Sequence, residues 1–509
     1  MKRFFALTLA ILMLLSMSAC SGGTSSSGTG SGTAPQSSDV PTLTIMTYTT
    51  NSARNTSGEP DVEQALNDYL LEKGYEFRVA LNVVHATDYF QLLDMNLAAG
   101  ADCDIVNENT VLGNRIPVHV SQNALLSLDE YLDDELAGAK DVIPTDWLEA
   151  TRINGHVYAL PSYNNNTNTL YYMYRKDLIE NVNYDPAHVE SVNDLTDLFA
   201  AIKEAYPDMY CSGGIISASS SAILSSLAPQ PWGLLNGFGI GMETGSDQFV
   251  NYYASDTYRQ ACALAKEWAD NGYLSPNSST DTLSGSDYIS SGQAFGWLVT
   301  NPLPQAREGS HYTAITGQKL DAVDLGLMPV NMTSNNWAIS YACKHPDKAA
   351  QLLNLLYTDE FVANTIAYGL EGVSYEWNED HSAIRFVNGI TNNTELPYSL
   401  SGDLYASFWN RDLHWYLEGF FDDVTYEYFQ MQTNEAPLSP LFGFGFDSTS
   451  VSTQVSAVSN VVAQYDNALM GGEIDYNEYL DKFIAELEAA GINDIITEAQ
   501  HQYDSWKQG

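Results

Sequence analysis

The chain has 509 residues, with 21 Lys and Arg against 64 Asp and Glu and a formal net charge of −43 at pH 7. A surface this acidic repels nucleic acid and anionic lipid, so the composition excludes a protein that binds either one through charge attraction. The length exceeds what one hydrophobic core usually serves, and 44% hydrophobic with 12% aromatic residues supply material for two cores.

The first nineteen residues have the pattern of a secretory signal peptide. A basic pair follows Met1, residues 4–15 form an apolar run too short to stay in a membrane as a spanning helix, and small residues precede Cys20. The residues up to Cys20 resemble the lipobox of bacterial lipoproteins, although Met17 stands where that box usually carries Leu. The resemblance implies a lipid on Cys20; the alternative is a plain secretory peptide with an incidental cysteine.

A Ser-, Gly- and Thr-rich stretch follows this cysteine. Such a composition cannot bury a core and behaves as a flexible coil. Residues 20–40 are therefore predicted to be a lipidated linker, which displays the folded protein on the outer face of the cell membrane.

Four further cysteines lie far apart, without a CxxC pair and without a His at metal-binding spacing. We expect neither a zinc site nor a disulfide framework, and we leave one bridge open. The residues concerned are Cys103, Cys211, Cys262 and Cys343.

The folded part begins with alternating strands and helices. The hydrophobic spacing predicts strands at residues 41–48, 76–84 and 104–106, with helices at 61–73 and 87–98 between them. This order indicates a parallel α/β sheet, in which ligands bind outside the carboxyl ends of the strands. Three candidate ligand-binding residues follow from that position: Tyr48, Asn51 and Glu108.

The centre of the chain, residues 158–180, stops and restarts an extended run. Pro161 ends one apolar run because it removes a backbone donor, polar residues follow, and a β-prone run begins at Leu170. This pattern favours a passage from one lobe to another, with an ordinary loop between two strands as the alternative. Tyr163 and Asn164, on the passage, are candidate ligand-binding residues.

The second half repeats the mixture of elements. The patterns predict helices at residues 193–205, 258–271, 346–357, 451–462, 476–489 and 493–506, strands at 294–299 and 337–340, a Gly-rich loop at 231–241 and an irregular aromatic-rich region at 370–440.

An ordered set of segments resembles a known family. Residues 89–106, 157–178 and 337–357 are similar to the first-lobe helix and strand, the first hinge and the return helix of extracellular solute-binding proteins of ABC importers. The family meant is the broad sugar-binding one that includes maltose-binding protein. Residues 443–507 resemble the C-terminal domain of a LipO-like lipoprotein subgroup of that family.

The resemblance implies a two-lobed, periplasmic-binding-protein-like α/β fold of type II. Each lobe would hold a mostly parallel sheet flanked by helices, and hinge crossings would join the lobes, with a third crossing near Pro440. The expected organisation is a signal peptide at 1–19, a linker at 20–40, lobe 1 at 41–162 and 337–438, and lobe 2 at 163–336 and 439–509.

The same resemblance implies a function. Two lobes close around a carbohydrate, in particular an oligosaccharide, and deliver it to the transmembrane subunits of an ABC permease. Pyranose CH faces pack on aromatic rings, so four aromatic residues join the candidate set: Trp232, Phe238, Trp297 and Trp337. Trp297 lies in an apolar strand, where a core position is equally consistent. We expect a monomer that is not an enzyme, with no cofactor, no metal and no nucleic-acid partner.

Three alternatives stay open at this point. A peptide or another polar solute could replace the sugar, because one fold serves many ligands. A secreted glycosidase would need two positioned carboxylates, which 64 acidic residues neither support nor exclude. No nucleophile-elbow, zinc-protease or P-loop motif occurs in the sequence. A structural adhesin would have no need of the crossings.

Overall fold

A computed structural model gives the fold. It describes residues 40–49, 55–101, 103–109, 115–164, 169–213, 232–235, 238–243, 245–276, 280–281, 283–301, 311–330, 335–390, 395–398, 400, 409–418 and 423–507. The predicted signal peptide, Cys20, most of the linker and Asn51 lie outside these residues.

The strands, numbered along the chain, are β1 Thr42–Thr49, β2 Arg78–His85, β3 Ile105–Asn109, β4 Arg152–Ile153, β5 His156–Val157, β6 Ala159–Pro161, β7 Thr169–Arg175, β8 Tyr210–Ser212, β9 Trp232–Leu235, β10 Ile240–Glu243, β11 Val250–Asn251, β12 Ala294–Asn301, β13 Leu320–Leu327, β14 Asn335–Ile339, β15 Tyr375–Trp377 and β16 Ile384–Phe386. The α-helices are Glu59–Glu72, Ala86–Ala99, Ile116–Ser121, Ala137–Val142, Thr145–Glu149, Leu195–Ala205, Asp256–Asp270, Gly285–Ser290, His311–Thr316, Pro346–Thr358, Glu360–Tyr368, Asp423–Glu435, Ser452–Met470, Tyr476–Ala489 and Ile492–Trp506.

The first lobe is built on a sheet with the strand order β2-β1-β3-β14-β6. β1 runs parallel to β2 and β3, whereas β14 runs antiparallel to both β3 and β6. Because side chains alternate along a strand, Ile45 and Ile105 enter one core while Met46 and Val106 enter the core on the other face. Cores lie on both faces of the sheet, so β1 and β14 are buried along almost their whole length, including their polar residues.

The second lobe has its own sheet, in the order β13-β7-β12-β8. Its middle strand β7 is buried on both faces, with Tyr172 in one core and Tyr171 and Met173 in another. β7 pairs antiparallel with β12 and β13, and only β12 with β8 is parallel. The two-lobed α/β fold is as expected, and in each sheet a single strand, β14 in the first and β7 in the second, runs against the direction of the other strands.

A third layer combines the hairpin of β9 and β10 with β11 and the C-terminal helices. Helices Ser452–Met470, Tyr476–Ala489 and Ile492–Trp506 share one core with helix Asp256–Asp270. The Gly-rich segment predicted as a loop is in part this hairpin, since Ile240 and Met242 are buried there and pair with Leu235 and Gly233.

The described part of the aromatic-rich region, predicted as irregular, contains two strands and an α-helix. β15 and β16 form a hairpin, and helix Asp423–Glu435 precedes the C-terminal layer. Sequence patterning misses this helix because aromatic and β-branched residues, which have modest helix propensity, occupy its first half.

Short segments cross between the lobes. The first leaves β6 through Ser162 toward β7, and the second returns from Val330 to β14. Residues 437–439, next to the third crossing expected near Pro440, pair with the second: the Val330 amide donates to the Pro437 carbonyl at 2.9 Å, and the Ser439 amide donates to the Val330 carbonyl at 2.9 Å. Two crossings therefore run side by side, with residue 330 paired to 438.

Three thiols are buried, those of Cys103, Cys211 and Cys262, and that of Cys343 is half-buried; none of the four forms a disulfide with another described cysteine. Burial raises the pKa of Cys211, Cys262 and Cys343 to about 12. In the described part of the chain, no helix is both long enough and apolar enough to cross a membrane.

Gly472 allows the C-terminal helices to approach helix Asp256–Asp270 closely. Its φ is +66°, and a Cβ at this position would lie 2.3 Å from the Ala265 carbonyl oxygen. We expect Gly472→Ala to lower the free energy of unfolding by about 2–4 kcal/mol, from left-handed backbone strain and from overpacking together. Urea denaturation measures the loss.

The matched control is Gly292→Ala. Gly292 has a similar φ of +71° but no atom within 4 Å of an added Cβ, so it reports the backbone cost alone. Equal losses for the two variants would contradict the close packing of the C-terminal layer.

Candidate functional site

The first-lobe sheet presents one edge to the crossings. Parallel β1 and β3 both end there, and β14, which is antiparallel to β3, begins there. β6 is antiparallel to β14, so its carboxyl end lies at the same edge and continues into the first crossing. The second lobe therefore lies beyond the edge at which β1 and β3 end.

Polar side chains are concentrated at this edge. We call the polar edge the set Thr47, Tyr48, Thr49, Asn107, Glu108, Asn335 and Asn336, all of which are at least 96% buried. The Tyr48 hydroxyl donates to Asn335 Oδ1 at 3.3 Å, and Asn107 Nδ2 donates to Thr47 Oγ1 at 3.4 Å. Ser162 and Asn164 lie on the first crossing, which leaves β6 at this edge, and both are buried.

Two acceptors of the polar edge lack a hydrogen-bond partner in the structure as described: Asn107 Oδ1 and Glu108 Oε2. Buried polar atoms in folded proteins are nearly always paired, so such atoms need an explanation. Acceptors left open beside a crossing can take hydrogen bonds from the hydroxyl or amide groups of a polar ligand.

A series of ion-paired side chains, which we call the charged chain, extends from Glu108 away from the polar edge. His119 Nδ1 lies 2.6 Å from Glu108 Oε1, and His119 Nε2 lies 3.0 Å from Asp94 Oδ1. Arg115 Nη2 donates to Asp94 Oδ2 at 2.6 Å. Both ring nitrogens of His119 thus face carboxylates, an arrangement that only the protonated imidazole satisfies completely.

The pKa of His119 reflects this arrangement. Burial favours the neutral ring, but the hydrogen bonds and charges of Glu108 and Asp94 outweigh it and raise the pKa above 6.5. Burial, together with the charge of Glu108, raises the pKa of the neighbouring Tyr89 phenol well above its usual value. Tyr89 therefore stays neutral and donates to the Asn107 carbonyl at 2.8 Å.

The sequence-predicted residues divide into three groups. Tyr48, Glu108 and Asn164 lie at the polar edge or on the first crossing. Tyr163 lies on the same crossing, but the guanidinium of Arg411 covers one face of its ring, with 4.7 Å between that group and the ring centroid. Asn51, and the side chain of Trp232, whose backbone is in β9, lie outside what the structure describes.

The three remaining aromatic candidates have core contacts. Trp297 is 2% exposed and packs against Tyr312, with 5.4 Å between ring centroids. Trp337 is fully buried against Trp409, and Phe238 packs against Phe446 in the C-terminal core. In this arrangement the three rings contact protein side chains, and a ligand-binding role for Trp297, Trp337 and Phe238 stays a prediction.

Sequence reasoning missed several residues of this region. The Asn335 and Asn336 pair precedes a predicted strand, and strand reversal in β14 is what brings it to the polar edge. His119 and Arg411 carry no local signal, since their partners lie on other elements. No group of three or more His, Cys, Asp or Glu side chains within the described ranges could hold a metal ion.

Comparisons with known proteins agree with this architecture. A family model described as bacterial extracellular solute-binding protein matches residues 56–363, and a domain of unknown function (DUF3502) matches residues 440–508. A relative from Streptococcus pneumoniae serotype 4, named carbohydrate ABC transporter substrate-binding protein, is 23% identical over 436 residues, 82% of each chain.

Solved structures share the fold over almost the whole chain. The N-glycan transport solute binding protein NgtS of Streptococcus pneumoniae is 19% identical, with a TM-score of 0.74 over 92% of this chain and 99% of that one. An extracellular solute-binding protein of Bifidobacterium longum subsp. infantis is 16% identical, with a TM-score of 0.63 over 92% of this chain and 98% of that one.

The charged chain behind Glu108 makes stability depend on pH. Because the folded-state pKa of His119 is raised, the folded protein holds this proton at pH values where the unfolded chain has released it. The stabilisation is complete below pH 6.5 and is lost as the pH rises through the folded-state pKa. We expect the free energy of unfolding to fall more steeply between pH 6 and pH 9 in the parent than in His119→Gln.

Urea titrations at several pH values in this interval measure the difference. The exposed His501 provides the control, and His501→Gln is expected to keep the slope of the parent. A His119→Gln protein with the unchanged slope would show that His119 does not hold a proton between the two carboxylates.

Proposed function

The chain belongs to the family of bacterial extracellular solute-binding proteins, and on that premise we propose that it captures a carbohydrate between its lobes for an ABC permease. An oligosaccharide is the ligand we favour. The observation that carries the proposal is the polar edge, with its open acceptors on Asn107 and Glu108 beside the crossings.

The chemistry of the edge supports a neutral polyol. Its described side chains are hydroxyls, amides and one carboxylate, which suit the donor hydroxyls of a sugar. The described residues of the polar edge include no Lys or Arg, which favours a neutral ligand over an anionic one. The name of the relative from Streptococcus pneumoniae and the titles of NgtS complexes with Man1GlcNAc and Man5GlcNAc point to the same ligand class.

Capture would proceed by closure of the lobes. The crossings are short and meet near the polar edge, so rotation about them would bring the second-lobe edge at Thr169 and Asn301 toward Glu108. The protein binds and releases its ligand unchanged, acts as a monomer, and presents the closed form to the permease. A lipid on Cys20 would hold it at the outer face of the membrane.

A thermal-shift screen tests the ligand class. The chain from Ser21 onward is heated with neutral mono- and oligosaccharides, uronates, amino acids and peptides. A ligand that binds only the folded state, at 100 times its Kd, adds about 2.7 kcal/mol of stability and raises the midpoint. We expect neutral oligosaccharides to give the largest shifts and to be recovered chemically unchanged.

Other outcomes would contradict particular parts of the proposal. Shifts with peptides alone would keep the fold and overturn the carbohydrate. Consumption of the sugar would identify an enzyme.

Glu108→Gln tests the position of the site. A hydrogen bond to a charged group is worth about 1.5–3 kcal/mol, so loss of the charge is expected to weaken the affinity for the sugar about tenfold or more. Isothermal titration calorimetry measures the affinity, and urea denaturation verifies that the variant is folded. Asp133→Asn, at a carboxylate that is 86% exposed, is the control and should bind normally. Normal binding by Glu108→Gln would place the ligand elsewhere.

Cys20→Ser tests the anchor. In a bacterial host, the full-length parent is expected to incorporate labelled palmitate and to sediment with membranes, because only a cysteine at this position can receive the lipid. The serine variant should do neither. Equal labelling of the two proteins would show that Cys20 is not the lipidated residue.

A further inference from the structure

Arg411 is a buried cation at the meeting point of the crossings. Its side chain is 2% exposed, and among the described residues the nearest carboxylate oxygen, Asp412 Oδ1, is 3.6 Å from Nε. Taking a charge out of water costs several kcal/mol unless close partners compensate. The position of Arg411 therefore depends on the groups that its guanidinium contacts.

Those groups belong to two different crossings. Arg411 Nη2 donates to the Tyr163 hydroxyl at 3.1 Å, and the guanidinium also stacks over the Tyr163 ring. On the other side, Arg411 Nη1 donates to Thr433 Oγ1 at 2.9 Å. Tyr163 lies on the first crossing, and Thr433 lies in the helix Asp423–Glu435, which leads into the third.

Backbone hydrogen bonds fix the same junction. The Tyr163 amide donates to the Trp409 carbonyl at 2.7 Å, and the Arg411 amide donates to the Tyr163 carbonyl at 2.9 Å. The Trp409 ring packs on Trp337 of β14, at 5.0 Å between centroids, just after the second crossing. Residues 409–411 thus contact the polypeptide next to every crossing described above.

The Thr433 hydroxyl, which accepts from Arg411, is held in place by a hydrogen bond within its own helix. Thr433 Oγ1 donates its own proton to the Phe429 carbonyl at 2.8 Å, which leaves a lone pair directed at Arg411. The relay from Tyr163 through Arg411 to Thr433 therefore has one set of donor and acceptor roles. Rotation of either crossing would have to break one of its bonds or carry all three residues along.

We propose that Arg411 is a positioning residue that couples the first and third crossings and sets the free-energy difference between the open and closed arrangements of the lobes. This inference rests on the proposed function, because ligand capture is the process that it would regulate. Arg411 would act on affinity through the fraction of molecules ready to close, and not through contact with the ligand.

The direction of the effect follows from entropy. Without the guanidinium, the first crossing and the helix Asp423–Glu435 lose their shared partner and gain freedom in the open form. Closure must then order them, so the affinity falls. Because the guanidinium does not touch the ligand, the affinities for different sugars are expected to fall by the same factor.

Arg411→Met is the first test. Methionine keeps an unbranched, flexible side chain and removes both donors. Calorimetry with the two best sugars from the screen is expected to show Kd raised at least tenfold, by an equal factor for both. Small-angle X-ray scattering should show a larger or broader ligand-free particle. Arg385→Met, at a half-exposed arginine of β16, is the control and should match the parent.

A double-mutant cycle supplies a test that a purely structural role would not pass. Tyr163→Phe and Thr433→Val each remove one acceptor of Arg411. In the parent, we expect the effects of Tyr163→Phe and Thr433→Val on Kd to be non-additive. In the Arg411→Met background, neither substitution is expected to change Kd further. These two milder variants also keep the test available if Arg411→Met does not fold.

Three outcomes would overturn the inference. Additive effects that persist in Arg411→Met would show that Arg411 does not connect the two crossings. A change in the ratio of the two sugar affinities would show that Arg411 contacts the ligand. Hydrogen exchange of the ligand-free proteins that is the same at residues 162–164 and 437–439 in the parent and in Arg411→Met would show that the crossings are not coupled. This last readout needs no ligand. Failure of the carbohydrate proposal can therefore be told apart from failure of the inference about Arg411.

Discussion

The antiparallel insertion of β14 between β3 and β6 determines where everything else lies. If β14 ran parallel to its neighbours, the returning chain would enter the first lobe at the opposite edge, and the crossings would be separated by the length of a strand. As it is, β6 leaves and β14 enters at the edge where β1 and β3 end. The Trp337 indole fixes this arrangement, because it donates to Ser162 Oγ at 3.1 Å across the two strands.

The charged side chains behind this edge alternate in sign. Glu108, His119 and Asp94 alternate in sign, and Arg115 closes the chain of charges at the surface of the first lobe. Each charge lies next to an opposite one, which offsets part of the cost of removing it from water. Arg411 differs, since an aromatic ring and two hydroxyls contact its guanidinium, while the Asp412 carboxylate lies 3.6 Å from Nε, beyond hydrogen-bond distance.

The sequence predicted the elements with strong periodicity. Residues 476–489 were expected as a helix and form one with the same bounds, and the strand ends at Tyr48 and Glu108 lie at the expected edge. The surroundings of the aromatic candidates could not be predicted, because composition does not tell a ring that fills a core from one that lines a cleft. Trp297 fits against Gly285, which has no side chain, and that complementarity exists only after folding. The contacts of Arg411 could not be predicted for the same reason, since its partners lie 248 and 22 residues away along the chain.

The native thiols bear on how lobe motion can be observed. A thiol reacts as its thiolate, and burial raises the pKa of Cys211, Cys262 and Cys343 to about 12, so these thiols stay protonated near neutral pH. Cys103 is enclosed in the first-lobe core. A chain without Cys20 is therefore expected to react only slowly with maleimide reagents. One new surface cysteine in each lobe could then carry a fluorophore or spin label on an otherwise unaltered protein, and the distance between the two labels would follow opening and closing directly.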